Sequence, residues 1–497
     1  MTHKPMKHLL PLLLLFAAGC TVSRNYDPAR KFGPKDLQED YSLFRKMLEE
    51  AHPSLYWYTP KDSVDYYFAQ GATKLTDSMP EYKFRNVLSY VLAKIRCGHT
   101  TVRQSKEAVK YSERTRAMLF PLNIKAWEDT VVVTSNLSRR DSNVQRGVLL
   151  KSIDGRPIQT IVDTFFQHFS ADGYNMSHKY QTISNNGVFR TMYAYIYGLK
   201  LRTPIEYIDT TGHLRSTVIS LNSLVADSPR RVVTVVTPPQ PTKRQRRQMS
   251  RQSMRSLRID TSLHTAFMEV NSFSKGNGLR RFFRTSFHTM RKEKITNLVV
   301  DMRGNGGGSV SLSNLLTKYI ADQPFKIADS LYAITNKSKY KQYRNNYLLY
   351  RLLFLFMTHK KKDGLYHFTY FENLYFQPKT RYHFLGNTYI LTGGNTFSAA
   401  ALFTKALVNQ EDVLVVGEET GGGSYGNTAW LIPDATLPHT HVRFRLPLFR
   451  LIIDRNETKG HGIFPEVEVK PTVADIRRNA DVKMERVIEL IRARAKG

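Results

Sequence analysis

Cysteine is nearly absent. Cys20 and Cys97 are the only two in 497 residues, which excludes a disulfide-stapled scaffold and any multi-cysteine metal site. Neither apolar run, Leu9 to Phe16 or Tyr347 to Met357, is long enough to cross a bilayer. Acid is scarce against base: 42 Asp+Glu face 73 Lys+Arg, a net charge of +31 that suits nucleic acid, an anionic membrane surface or acidic substrates. Between Pro229 and Arg258 there is no acid at all, but Tyr, Phe and Trp are missing as well. A basic stretch without stacking rings is a poor single-strand platform, so nucleic acid is not an expected partner. Apolar and charged contents of 41% and 23% are ordinary, which excludes disorder and coiled coil as the main architecture.

What is present begins with an address. Lys4 and Lys7 precede the short apolar run, and Ala17-Ala18-Gly19-Cys20 ends it. Small residues directly before a cysteine resemble the lipobox of bacterial lipoproteins. That resemblance implies a signal peptide over 1–19, lipidation of Cys20, a tether over 20–35 and a membrane-anchored, periplasm-facing protein in the cell envelope. Apolar residues then recur at helical spacing (Leu37, Tyr41, Phe44, Leu48; Phe84, Val87, Leu88, Val91), which predicts a helical N-terminal domain over 36–117. Short β-branched runs with Asp154-Gly155 and Thr211-Gly212 turns predict a β-rich module over 118–228. The basic segment 229–258, with Pro238-Pro239, reads as a linker. Strand and helix patterns alternate over 259–497, which predicts an α/β layer with a largely parallel sheet. Tyr347 to Met357 reads as a lid or packed helix within it.

Three glycine-rich turns follow predicted strands: Asp301 to Gly308, Thr392 to Ser398, and Gly417 to Gly423. Such turns aim free N–H groups above a sheet edge, yet none has the Lys-Ser/Thr ending of a P-loop or the spaced glycines of a dinucleotide fold. Together they suit acyl transfer, with Ser398 exposed at a helix N-terminus. A plain helix N-cap is the alternative for a lone serine.

In this order, Asp301 to Gly308, Thr396-Phe397-Ser398-Ala399-Ala400, Gly417 to Gly422 and Gly460 to Glu466 resemble the serine peptidase family of the C-terminal processing (tail-specific) proteases and the tricorn core. Gly147 to Ile158 is similar to the PDZ-like domain of those proteases. The resemblance implies an α/β multidomain protein: a helical N-terminal domain, a PDZ-like module and a ClpP/crotonase-like catalytic domain. Carried across, Ser398 is the nucleophile, and the amides of Ala399 and of Gly306 or Gly307 form the oxyanion hole. The lysine expected after Gly417 is replaced by Gly421 to Gly423, so the base resembles the histidine of the tricorn-like branch, here His99, with His461 and Lys405 as rivals. Glu457 is the expected orienting acid, with Asp454 and Glu466 as alternatives; Asp301 and Arg303 read as structural. The implied function is hydrolysis of peptide bonds in proteins or peptides without a metal or cofactor. The alternative is an inactive peptide-binding or scaffolding lipoprotein of the same fold, since Ala401 stands where the family has glutamate.

Overall fold

The computed structural model describes residues 26–115, 118–138, 143–221 and 241–495. The signal peptide, Cys20 and residues 222–240 of the expected module and linker lie outside the described residues.

A six-stranded sheet forms the centre of the molecule. Its order is Arg255–Asp260, Thr265–Val270, Asn297–Asp301, Asn387–Thr392, Val413–Gly417, Val467–Glu468, parallel throughout except for the first pair. The strand Asn297–Asp301 buries the consecutive apolar residues Leu298, Val299 and Val300 because both faces are covered. The helices Leu279–Lys292, Val310–Ile320 and Ala399–Leu407 bury their apolar stripes on one side. Val487 and Ile491 of the last helix pack on the other, against Phe267, Val299 and Leu391. The mixed α/β multidomain class expected from the alternating pattern is what is found.

The N-terminal helices do not form a core of their own. Leu37, Phe44, Leu88 and Leu92 belong to the same buried cluster as Phe403, Phe444 and Leu451. The Phe44 ring meets Phe444 edge-on at 4.9 Å, and buried Asp40 accepts hydrogen bonds from Thr440 N at 2.8 Å and Thr440 Oγ1 at 2.6 Å. The helices before residue 117 therefore share the core of the 259–497 region. The periodicity reveals which helix face is buried and says nothing about what buries it.

Residues 118–221 do have a separate core, built from Phe120, Val133, Leu150, Phe165 and Ile205. An antiparallel sheet runs Leu122–Trp127, Thr130–Asn136, Leu149–Ile153, Arg202–Ile208, Leu214–Ser220. Three helices, Ile158–Phe166, Met176–Ser184 and Val188–Tyr197, sit between its strands. The basic stretch departs from the linker expectation: Lys243–Met254 is a helix opened by a Thr242–Gln245 capping box, and Arg255–Asp260 is the edge strand of the main sheet. Arg244, Arg246 and Arg247 of that helix are exposed. The helix Tyr347–Met357 leaves Leu348, Leu352 and Phe356 exposed and buries only Phe354, so it is not the packed helix its composition predicts.

Candidate active site

The strand Asn387–Thr392 ends in Gly393-Gly394, and the chain reverses into the helix Ala399–Leu407 with Ser398 at its N-cap. Ser398 does not cap: its side chain accepts no bond from the helix, and its backbone sits at φ 56°, ψ −122°. A non-glycine residue there costs roughly 1–3 kcal/mol and persists only when the surroundings fix it. The neighbours supply that restraint. A Cβ on Gly307 would lie 2.7 Å from Ser398 Cβ and 3.0 Å from Ala399 N, and one on Gly422 would lie 3.0 Å from Ser398 N. Only glycine fits at either point, and a Cβ on Gly421 or Gly423 would likewise meet a backbone oxygen, at 2.1 and 2.6 Å. Among the candidate oxyanion donors, Ala399 N–H and Gly306 N–H have no partner among the described residues. Gly307 N–H is already donated to Asn305 Oδ1 at 2.8 Å, which corrects its expected role.

His99 arrives from a distant part of the chain. The helix Glu81–Ile95 ends at left-handed Arg96, a tight Cys97-to-Thr100 turn follows, and Val102–Arg103 then pairs with Arg443–Arg445 at the edge of a three-stranded sheet. The pairing fixes the histidine turn onto the region that carries Ser398. The His99 ring stacks on Phe397, the residue before Ser398, with centroids 4.5 Å apart. Gly98 is required beside it, since a Cβ there would lie 2.7 Å from Phe397 Cζ.

The acid beside His99 is Asp172. Its Oδ1 accepts Gly98 N–H at 2.8 Å and lies 3.7 Å from His99 Nδ1, just beyond hydrogen-bond range. Both residues are buried, and Asp172 Oδ2 and both His99 nitrogens have no partner among the described residues. Buried polar atoms left so cost roughly 1–3 kcal/mol each, and a small rotation would pair them. A second histidine, His178, also stacks on Phe397 at 4.7 Å and donates through Nδ1 to Gly394 O at 2.7 Å. Burial lowers its pKa, so it stays neutral and wedges the ring that His99 rests on.

Residues 264–469 match the profile of Peptidase family S41. The chain carries a peptidase family S41 domain. The domain makes it a serine-type peptidase, whose substrates are proteins or peptides. No curated protein matches the chain. Among solved structures, mature CPAF superposes with a TM-score of 0.63 at 14% identity, over 92% of this chain and 97% of that one. Mature CPAF complexed with lactacystin gives 0.62 at 13%, over 92% and 98%. The photosystem II D1 C-terminal processing protease aligns over 88% of this chain and 93% of its own at 12% identity, with a TM-score of only 0.39. At such identities the CPAF likeness speaks for the fold alone.

Within this S41 frame the expected acids are engaged elsewhere. Glu457 and Asp454 both hold Lys405, at 2.7 and 2.9 Å, and Glu466 accepts Val415 N–H at 2.8 Å. Glu457 is thus a partner of Lys405, and Asp172 replaces it beside His99. The pair of carboxylates raises the Lys405 pKa and keeps it protonated, which removes it as a base. His461 lies 3.4 Å from Glu419 and rests on Phe464. Burial pushes the Cys97 thiol up to about 11, so it is no rival nucleophile; its sulfur contacts Thr428 Oγ1 at 2.8 Å. Asp301 and Arg303 pair at 2.6 Å and brace the first glycine loop against Asp481. Among the described residues no cluster of His, Cys, Asp or Glu is arranged to hold a metal.

Proposed function

We propose that the protein is an exported endopeptidase that cleaves polypeptides through an acyl-enzyme on Ser398. Ser398 Oγ attacks the peptide carbonyl while its proton passes to His99 Nε2; an Oγ–C bond forms and the carbonyl oxygen takes the negative charge. Ala399 N–H and Gly306 N–H stabilise that charge at the positive end of the helix. His99 then gives its proton to the leaving amine as the C–N bond breaks, and water repeats the sequence to free the acid. Asp172, 3.7 Å from Nδ1 in the structure, accepts the Nδ1–H and fixes that tautomer once the gap closes. A lipid on Cys20 tethers the enzyme to the periplasmic face of a membrane, and the 118–221 module, read as PDZ-like, presents substrate C-termini by strand addition.

The observation that carries this reading is Ser398 itself, a serine at a helix start that forgoes capping and sits in strained backbone between two glycine loops. The test is digestion of an unfolded protein such as reduced casein, with product peptides sequenced. Wild type is expected to cut at internal bonds and Ser398→Ala to yield no product above background. Equal cleavage by both would move the activity to another residue. The scaffolding alternative draws support from the 3.7 Å His99–Asp172 gap; it predicts peptide binding by both proteins and cleavage by neither.

A further inference from the structure

Behind the catalytic turn lies a partly enclosed cavity of about 360 Å³. Lys94 and Arg96, at the end of the helix Glu81–Ile95, line it from one side, and Lys179, from the helix Met176–Ser184, from the other. None of the three forms an ion pair among the described residues. Arg96 lies over the Tyr174 ring at 4.4 Å, Lys94 over Tyr90 at 4.9 Å, and Lys179 donates to Phe166 O at 2.8 Å. Asp163 is the one carboxylate in the lining; its Oδ1 accepts from Gln159 at 3.2 Å and it pairs with none of the cations. Three cations converging without a counter-ion is an arrangement that folding alone disfavours. Its strain is visible in Lys179, pushed down to about 8 by burial and by the charges of Lys94 and Arg96.

The place of these cations matters. Arg96 is three residues before His99, and its carbonyl accepts Gly173 N–H at 3.0 Å, directly after Asp172. The backbone contact that joins the two catalytic segments therefore forms part of the cavity wall.

We propose that this cavity binds a small oxyanion, carboxylate or phosphate, and that the bound anion draws the Arg96 and Lys179 sides together and closes the gap between His99 and Asp172. Binding stands on the cavity alone; the coupling rests on the reading of His99 and Asp172 given above.

The test is calorimetric titration of the purified chain with inorganic phosphate and, separately, with succinate, at ionic strength held constant with sodium chloride. Saturable one-to-one binding of at least one is expected, weakened tenfold or more in the double variant Lys94→Gln/Lys179→Gln and unchanged in Arg244→Gln/Arg247→Gln, whose arginines line a different basic groove. Whichever probe binds identifies the anion class. Absence of saturable binding, or equal binding by the lysine variant, overturns the site. The lysine variant is expected to melt within a few degrees of wild type, because relief of the repulsion offsets the lost Lys179–Phe166 O bond and the Lys94–Tyr90 contact; a large fall would mean that the lysines hold structure and would also overturn the site. Coupling is read from fluorophosphonate labelling of Ser398, expected to speed severalfold with anion in wild type and not in the lysine variant. Binding without acceleration overturns the coupling. Binding intact with no labelling of Ser398 at all counts against the catalytic reading and leaves the site standing.

Discussion

A second proton has no place on His52, which packs beneath the His99 turn: its Nδ1 accepts Ser54 N–H at 3.1 Å and its Nε2 donates to Thr100 Oγ1 at 2.7 Å. Burial, with the nearby Arg450 charge, lowers its pKa to about 3. The unfolded chain takes a proton near pH 6.5 and the folded one only far below, so this contribution to stability is complete above about pH 6.5 and is lost as the pH falls toward 3. Wild type should lose stability over that window, and His52→Gln should show a shallower loss in acid denaturation curves. Lys179 works in the opposite range. With a folded pKa of about 8, the unfolded chain binds the extra proton above that value, so stability should rise from pH 8 toward 10, and Lys179→Gln should flatten that rise. Ser398 and His99 were legible in the sequence because short motifs surround them. Asp172 was not: its partners are Gly98 and His99, some seventy residues away, and nothing beside it marks it as more than a loop acid. Its one local signal is the Gly173 that follows, held at φ 65° against Gly460.

Elements were easier to read where both ends of a pattern are local. The parallel strands and the helices of the 259–497 region follow from alternating apolar runs, whereas the helices between 158 and 197 lie among strand-like β-branched runs that mask their periodicity. Asn175, which caps the helix Met176–Ser184, and Gly198, which ends Val188–Tyr197, were the available signals. Docking of the N-terminal helices was illegible, since it depends on which distant surface the apolar stripe meets. Asp40 is the test of that docking. Its buried carboxylate satisfies His439 N–H, Thr440 N–H and the Thr440 hydroxyl, so Asp40→Ala should cost about 2–4 kcal/mol in urea unfolding. A change below about 0.5 kcal/mol would show that the helix Pro34–Ala51 is held by apolar packing alone.

For the whole molecule, the shared core means that the segment bearing His99 and the sheet bearing Ser398 stand or fall together. Residues 118–221, with a core of their own, bring Asp172 to the junction: Gly173 N–H bonds to Arg96 O, Tyr174 N–H to Gly460 O, and the Asn175 side chain to Thr420 O. Three parts of the chain thus bring Ser398, His99 and Asp172 to the candidate site, where they are expected to act as a unit. The most direct measurement is the rate of fluorophosphonate labelling, followed by intact mass, in wild type, Ser398→Ala, His99→Ala, Asp172→Asn and Glu457→Gln. Labelling of wild type and Glu457→Gln at similar rates is expected, with none in Ser398→Ala and losses of roughly 10³–10⁴-fold in His99→Ala and Asp172→Asn. Wild-type labelling in Asp172→Asn together with loss in Glu457→Gln would make Glu457, and not Asp172, the acid that serves His99.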